Sequence, residues 1–322
     1  MIVITGAYGF IGSNLVTELE CKSNEELVLV DYFGTNMKWK NMVARRLHTM
    51  LEPHQLLNFI DNNYKRISCI IHLGAISSTT EEDVDKLIHN NFLYTINLLD
   101  ACNAYRIRMI YASSASVYGN GELGFNDSDA VEDISSLRPL NAYGWSKKLI
   151  DEACAKRNFV NIVGLRFFNV YGPNEYHKEE QASVVYKWYN GMKHDATISL
   201  FRSYVPEYED GGQLRDFVYI QDCIDAILWF LGKPDIAGVY NVGTGCARSF
   251  MDIITILERI MQKKARYEFV DMPEQIKLHY QYNTKANLSK LRKAGFTKEM
   301  MTLDRGIEQY VTLYLNTNNP YR

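Results

Sequence analysis

The chain has 322 residues, too many for most single cores, so one large α/β unit or two intimately joined domains is expected. Hydrophobic residues at 47%, charged residues at 23% and 22 tyrosines exclude a disordered or fibrous protein. With 35 basic against 38 acidic residues, the net charge of −3 provides no global field for nucleic acid or an anionic membrane.

In chain order, "MIVIT" reads as a buried strand that runs into "GAYGFIGSN", the opening of an amphipathic helix. This strand-turn-helix context makes the glycines Gly6, Gly9 and Gly12, with Phe10 and Ile11 between them, a dinucleotide fingerprint. Backbone N–H groups at a helix start favour a pyrophosphate. The next strand, "ELVLVD", ends at Asp31 with Tyr32 beside it, where a carboxylate suits the adenosine ribose hydroxyls and favours NAD. Lys38, in "GTNMKWKN", could instead neutralise a 2′-phosphate and favour NADP. Lys38 could equally belong to a solvated basic face, so these residues leave NAD and NADP both open; the expectation carried forward is NADP, with NAD possible.

"EPHQLLNFIDNN" is a further helix and "SCIIHLG" a further buried strand. The small-residue turn at Leu73, Gly74 and Ala75 would let the nicotinamide half of a dinucleotide pass over it. One long helix is expected over "DVDKLIHNNFLYTINLLDACNAY", on which Asn91 either supports this layer or is an exposed helix asparagine. "IRMIYAS" is the next strand, and "YASSASVYG" ends it with exposed hydroxyls, Ser114 among them.

In "NAYGWSKKLIDEACAKR", one helical turn puts Tyr143 and Lys147 on the same face. A free phenol has a pKa near 10 and is a poor base at neutral pH, but a nearby ammonium stabilises the phenolate. Ser114 could then hold a substrate oxygen whose proton Tyr143 removes. Another strand, "VNIVGLRFF", closes the β-α alternation that predicts a Rossmann-type, doubly wound parallel sheet.

After "NVYGP" the pattern loosens into polar loops around a helix near 181–193, and a strand-helix unit returns in "DFVYIQDCIDAILWFLG" with a strand in "GVYNVG". The tail from Ser249 reads as mainly helical, with "ARYEFV" as one strand. A smaller, interleaved C-terminal α/β domain is expected. Residues 1–170 plus about 216–245 would bind the dinucleotide, and 171–215 plus about 246–322 the substrate.

The six cysteines (Cys21, Cys69, Cys102, Cys154, Cys223 and Cys246) stand far apart, without metal-ligand spacing. Reduced, mostly buried thiols and no metal are expected. The opening residues lack the basic and apolar regions of a secretory signal, and no run approaches a membrane span, so a cytoplasmic protein is expected.

Together "TGAYGFIGSN", "HLGAISSTT", "YASSASVYG", "YGWSK" and "RFFNVYGPNEYHK" resemble the extended short-chain dehydrogenase/reductases that act on nucleotide sugars. The resemblance covers nearly the whole chain. Within that family, "SSTTE", "NVYGPNEYHK" followed by "AS", and "RDFVYIQD" are most similar to the epimerases of ADP-heptose, which serve the inner core of bacterial lipopolysaccharide. The resemblance implies transient oxidation and re-reduction at the exocyclic C6″ by a nicotinamide cofactor that stays bound. It also implies Lys178 as a second acid/base beside Tyr143, and Asn169 and Arg215 as groups that hold the nucleotide sugar with Ser114 and Lys178. On the residues alone, Lys178 could be a loop ion pair with Glu179 or Glu180, and Arg215 could pair with Asp216.

This chain departs from the family pattern at two places. Glu179 and Glu180 replace the small residues usual after the lysine, and His48 and Thr49 stand where relatives carry an adenine-binding aspartate. A 4,6-dehydratase would place an Asp-Glu pair after its catalytic hydroxyl, whereas Ser114 is followed by "ASVYG". The remaining rivals are a UDP-hexose 4-epimerase and a non-catalytic NADP-binding regulator. A homo-oligomeric assembly is expected.

Overall fold

The computed structural model describes residues 1–157, 160–277 and 280–322. The first half alternates β1 (Ile2–Thr5), α1 (Phe10–Lys22), β2 (Leu27–Val30), β3 (Thr49–Leu51), α2 (Leu56–Asn63), β4 (Cys69–His72), α3 (Val84–Leu87), α4 (Tyr94–Tyr105), β5 (Arg108–Ser114), α5 (Val131–Ser136), α6 (Ala142–Arg157) and β6 (Ile162–Phe167). The second half contains β7 (Asn169–Tyr171), α7 (Val184–Lys193), β8 (Thr197–Phe201), β9 (Leu214–Arg215), β10 (Phe217–Tyr219), α8 (Ile220–Leu231), β11 (Gly238–Val242) and β12 (Arg248–Ser249). It continues with α9 (Phe250–Met261), β13 (Arg266–Val270), α10 (Glu274–Lys277), α11 (Ser289–Lys293) and α12 (Leu303–Tyr310).

Seven strands form one sheet in the order β11-β6-β5-β4-β1-β2-β3, and every pairing in it is parallel. The short apolar runs behave as fully buried strands must. Ile2, Ile4, Leu27 and Leu29 enter the core on one face, while Val3, Val28 and Val30 enter the core on the other. Each such side chain contributes roughly 1.5–3 kcal/mol when buried. Three small two-stranded sheets lie outside: β7 with β10, β8 with β13, and β9 with β12.

The five strands read from apolar runs are all present, and so is the strand at 238–242 that rejoins the main sheet. The long helix expected from "DVDKLIHNNFLYTINLLDACNAY" is continuous but contains a π-helical stretch at Ile88–Leu93. Such widened turns re-aim side chains, and this one turns Asn91 fully inward. Among the cysteines, Cys69, Cys102 and Cys223 are buried as expected, whereas Cys21 and Cys246 are exposed. No helix among the described residues is long and apolar enough to cross a membrane.

The strand order reverses beside β1, which has β2 on one side and β4 on the other, so the loops after β1 and β4 splay around a crevice. The two strand ends are tied by polar bonds. Thr5 Oγ1 lies 2.6 Å from His72 Nδ1 and accepts from Gly74 N–H at 3.1 Å, and His72 Nε2 lies 2.9 Å from Thr95 Oγ1. Burial, with help from Lys147, lowers the His72 pKa from 6.5 to about 3.

A depressed imidazole pKa contributes stability that is complete above the unfolded value and is lost as pH falls toward the folded one. Thermal melts should therefore drop in midpoint as pH is lowered from about 7 to about 4. Asp222, whose carboxyl is raised to about 6 chiefly by burial, acts in the opposite sense over part of this range. A His72→Asn variant removes the titrating ring while keeping a polar group near Thr5, and so isolates the contribution. Its midpoint should fall less steeply, and equal slopes would remove His72 as a cause.

Candidate active site

Two cavities open along the crevice, of about 590 Å³ and 430 Å³, and they share Phe10, Ile11, Leu73, Ala75 and Lys178, so they form one continuous cleft. The first runs from the glycine-rich turn to Asp31 and Lys38. Gly6 has φ +66° and a Cβ there would stand 2.6 Å from Gly74 N; a Cβ on Gly12 would stand 2.1 Å from Gly6 O. Only glycine lets the β1–α1 turn and the β4 loop close so tightly. The start of α1 has no side-chain cap, so its N–H donors stay available to an anion. The donor set and the shape of this cavity fit a dinucleotide.

At the far end, Asp31 accepts from Tyr8 N–H at 3.0 Å, from Tyr32 N–H at 2.8 Å and from the Lys38 ammonium at 2.6 Å. Lys38 thus offsets the carboxylate charge that would repel a 2′-phosphate. The Tyr32 ring is about half exposed, and Tyr32 is not part of the cavity wall. His48 turns to Glu20, 2.7 Å away. Asn91 also misses the cleft wall. Its amide is spent on Ile76, accepting from N–H at 2.8 Å and donating to O at 3.0 Å, and on Ser146 Oγ at 3.1 Å. The exposed-asparagine alternative is thereby excluded, and Asn91 acts on the cleft only through the loop it holds.

The second cavity brings Ser114, Tyr143, Lys147, Asn169 and Lys178 to one wall. Strand β5 ends at Ser114, and Gly144 on α6 packs so closely over this turn that a Cβ would lie 2.7 Å from Ser116 O. Burial raises the Tyr143 phenol, and its hydrogen bond with Ser114 pulls the other way. Burial lowers Lys147 from 10.5 to about 8, opposed by the charge of Asp151 one turn further along. The Lys147 ammonium donates to Ala112 O at 2.8 Å. Asp151 is itself fully buried and accepts from Arg166 Nε at 2.8 Å, Tyr111 Oη at 2.9 Å and Ser113 Oγ at 2.9 Å.

Lys178 reaches the same cavity from the loop between β7 and α7. Its ammonium lies 5.5 Å from the centre of the Phe10 ring, at the first residue of α1. Neither Glu179 nor Glu180 forms an ion pair with it among the described residues. Glu179 takes φ +49°, ψ −115°, a conformation open to glycine but strained for a residue with a side chain. The turn leaves both glutamates exposed and Lys178 inside.

The loop is fastened on several sides. Asn174 Nδ2 donates to Ser13 Oγ at 3.0 Å, Asn14 Nδ2 donates to Pro173 O at 2.9 Å, and Asn41 Nδ2 donates to Asn174 O at 3.2 Å. Tyr176 Oη donates to Pro320 O at 2.7 Å, and Arg322 N–H donates to Asn174 Oδ1 at 2.9 Å. His177 lines the first cavity beside Lys38; burial comes first and the two lysine charges second in lowering it from 6.5 to about 4. The sequence reading singled out none of these anchors, nor Ser77 and Thr79 of the cavity wall, although their hydroxyl-rich turn was a visible signal.

Arg215 stays outside both cavities, buried on β9 with its guanidinium 5.1 Å from the Tyr280 ring centre and 5.6 Å from that of Phe250. Phe250 borders the catalytic cavity, so Arg215 stands behind its edge. The alternative of an Arg215–Asp216 pair is not realised. Asp216 instead accepts from Thr244 N–H at 2.7 Å, Gly245 N–H at 2.9 Å and Ala286 N–H at 3.0 Å.

A glycine-rich turn at the switch point of a parallel sheet, with a Tyr-x-x-x-Lys pair beside it, is an arrangement suited to nucleotide-dependent hydride chemistry. The chain belongs to the NAD dependent epimerase/dehydratase family, whose pattern matches residues 2–243. It is 42% identical over 324 residues, 100% of both chains, to a protein of Nitratidesulfovibrio vulgaris (strain DP4) named ADP-L-glycero-D-manno-heptose-6-epimerase. The crystal structure of Helicobacter pylori ADP-L-glycero-D-manno-heptose-6-epimerase is similar at a TM-score of 0.82 and 30% identity, over 96% of this chain and 94% of that one. A UDP-glucuronic acid 4-epimerase from Bacillus cereus, in complex with UDP-glucuronic acid and NAD, has a TM-score of 0.76 and 29% identity over 96% and 97% of the respective chains.

Proposed function

We propose that this chain is a cytoplasmic, homo-oligomeric isomerase. It interconverts ADP-D-glycero-D-manno-heptose and ADP-L-glycero-D-manno-heptose at C6″ for the lipopolysaccharide inner core. The observation that carries this reading is that two groups able to move protons, Tyr143 and Lys178, meet one cavity from separate elements. Inversion at C6″ returns the hydride to the opposite face of the carbonyl carbon; with the nicotinamide stationary, the C6″ oxygen then occupies a second position, and a second proton-transfer group serves it there. The names of the full-length relatives support the sugar and the nucleotide.

In this reading Gly6, Gly9, Phe10, Ile11 and Gly12 hold the cofactor diphosphate. Asp31 and Lys38 would hold the adenosine ribose and its 2′-phosphate, Leu73, Gly74 and Ala75 would receive the nicotinamide half, and Lys147 would hold its ribose. A bound nicotinamide would supply reversible hydride transfer, which would keep the overall reaction redox-neutral. Ser114 and Asn169 orient the sugar. Tyr143 moves the proton of the C6″ oxygen on one side and Lys178 on the other. Because C6″ is exocyclic, rotation about a single bond presents its second face without turning the whole sugar. Arg215, buried behind the cavity edge that Phe250 forms, would reach the substrate diphosphate only if that edge shifts. Residues 1–170 with 216–245 serve the cofactor, and 171–215 with 246–322 the sugar nucleotide.

No Asp-Glu pair follows Ser114, which speaks against a dehydratase. The test is incubation with each ADP-heptose epimer beside UDP-glucose, with product stereochemistry read by NMR, and identification of the nucleotide released on denaturing the protein. Conversion of ADP-heptose with NADP released is expected. Turnover of UDP-glucose alone would replace the substrate, and release of NAD would withdraw the phosphate role of Lys38.

A further inference from the structure

We propose that Glu175 is the positioning residue for Lys178: its buried carboxylate closes the base of the Lys178 loop and supplies the negative charge that faces the ammonium. This rests on the reading of Lys178 as an acid/base, and extends it to a residue which that reading leaves without a role.

The geometry is that of a clasp. Glu175 is completely buried. One carboxylate oxygen accepts from Gly172 N–H at 3.2 Å and from Ser183 Oγ at 2.8 Å, and the other accepts from Ser183 N–H at 2.6 Å. Gly172 and Ser183 are the two ends of the loop that carries Lys178, so a single side chain holds both. Ser183 also caps α7, its hydroxyl accepting from Tyr186 N–H, so the clasp fixes the loop to the start of that helix.

Burial raises the Glu175 carboxyl above the usual range, and the hydrogen bonds from Ser183 and Gly172 and then the Lys178 charge oppose that rise, as a buried carboxylate requires if it is to stay charged. The groups that face it are the phenols of Tyr171, Tyr176 and Tyr310, each raised by burial first and by the Glu175 charge among the lesser causes, and the Lys178 ammonium. Facing Lys178 in turn are Glu175, His177 and the uncharged ring of Phe10. Burial lowers the proton affinity of Lys178, and Glu175 opposes that fall. Without the carboxylate, burial would act unopposed. Lys178 would lose its proton at lower pH, and a group that must both give and take a proton would lose its poise.

The experiment measures Lys178 directly. Its rate of modification by an amine-reactive reagent is followed against pH by mass spectrometry in the holoenzyme, beside the pH profile of epimerisation. In Glu175→Gln the Lys178 labelling curve and the corresponding limb of the activity profile should both move to lower pH, with kcat near neutrality down roughly tenfold and KM little changed. Glu175→Asp keeps the charge and should restore both curves even where the loop contacts are imperfect. Ser183→Ala, which removes a hydrogen bond but no charge, should leave the labelling curve in place. An unmoved labelling curve in the folded Gln variant overturns the proposal. If the Gln variant does not fold, an acid shift in the Asp variant overturns it equally. The parent reading fails separately: an active Lys178→Met enzyme would remove the acid/base role, whatever the labelling of Lys178 shows.

Discussion

Replacing Tyr143 by phenylalanine is expected to slow epimerisation by on the order of 10² to 10⁴, the usual contribution of a general acid–base group. The fold and the retained nucleotide should be unaffected, since one hydroxyl at the cleft wall is lost and the ring still fills its place. Burial alone makes this phenol a weaker acid than a free one. In the proposed mechanism the hydrogen bond with Ser114 offsets part of that rise, and the ammonium of Lys147 on the same helix face would further stabilise the phenolate. Progress curves on either epimer decide the matter. A variant that keeps more than about a tenth of normal activity would refute the role of Tyr143.

Lys178→Met should suppress epimerisation by roughly 10² or more. Removing the Lys178 charge relieves its own desolvation but also takes away a charge that compensates buried Glu175, so the melting temperature should change little. An ion-paired loop lysine would predict unchanged activity instead. A 6-aldehyde analogue sharpens the test, since its dismutation to alcohol and acid reads hydride transfer apart from proton placement. If the Tyr143 and Lys178 variants both keep substantial dismutation while losing epimerisation, each governs one proton position. Near-complete loss of dismutation in the Lys178 variant would mean that the lysine positions the sugar for both faces, and the two-base mechanism would be withdrawn.

What could be read from the chain was what is local. Strands β1, β2, β4, β5 and β6 announce themselves as apolar runs, and Tyr143 and Lys147 meet through helical periodicity. Strand β3 has three residues, two of them exposed, and so carries no hydrophobic signature. The pairs β7–β10 and β9–β12 are equally short and are set by tertiary contact. The surroundings of Lys178 were misleading in sequence because its two acidic neighbours suggest an ion pair, whereas a left-handed turn at Glu179 sends them to solvent. The groups that hold this loop, such as Asn41, Ser13 and Arg322, come from distant parts of the chain, and no periodicity relates them to it. The buried polar ties of Asn91 and Asp216 were hidden for the same reason.

The place of β11 in the sheet has a consequence for synthesis on the ribosome. Strand β6 ends at Phe167 and its outer neighbour begins at Gly238, so about seventy further residues must be made before that edge is covered. At translation speeds of about 5–20 residues per second this leaves a buried-type strand, Ile162–Phe167, unpaired on one side for roughly 4–14 seconds. An open apolar edge is a template for pairing with other chains. The nascent protein should therefore be most vulnerable to aggregation, and most dependent on chaperones, in the interval between the emergence of these two strands.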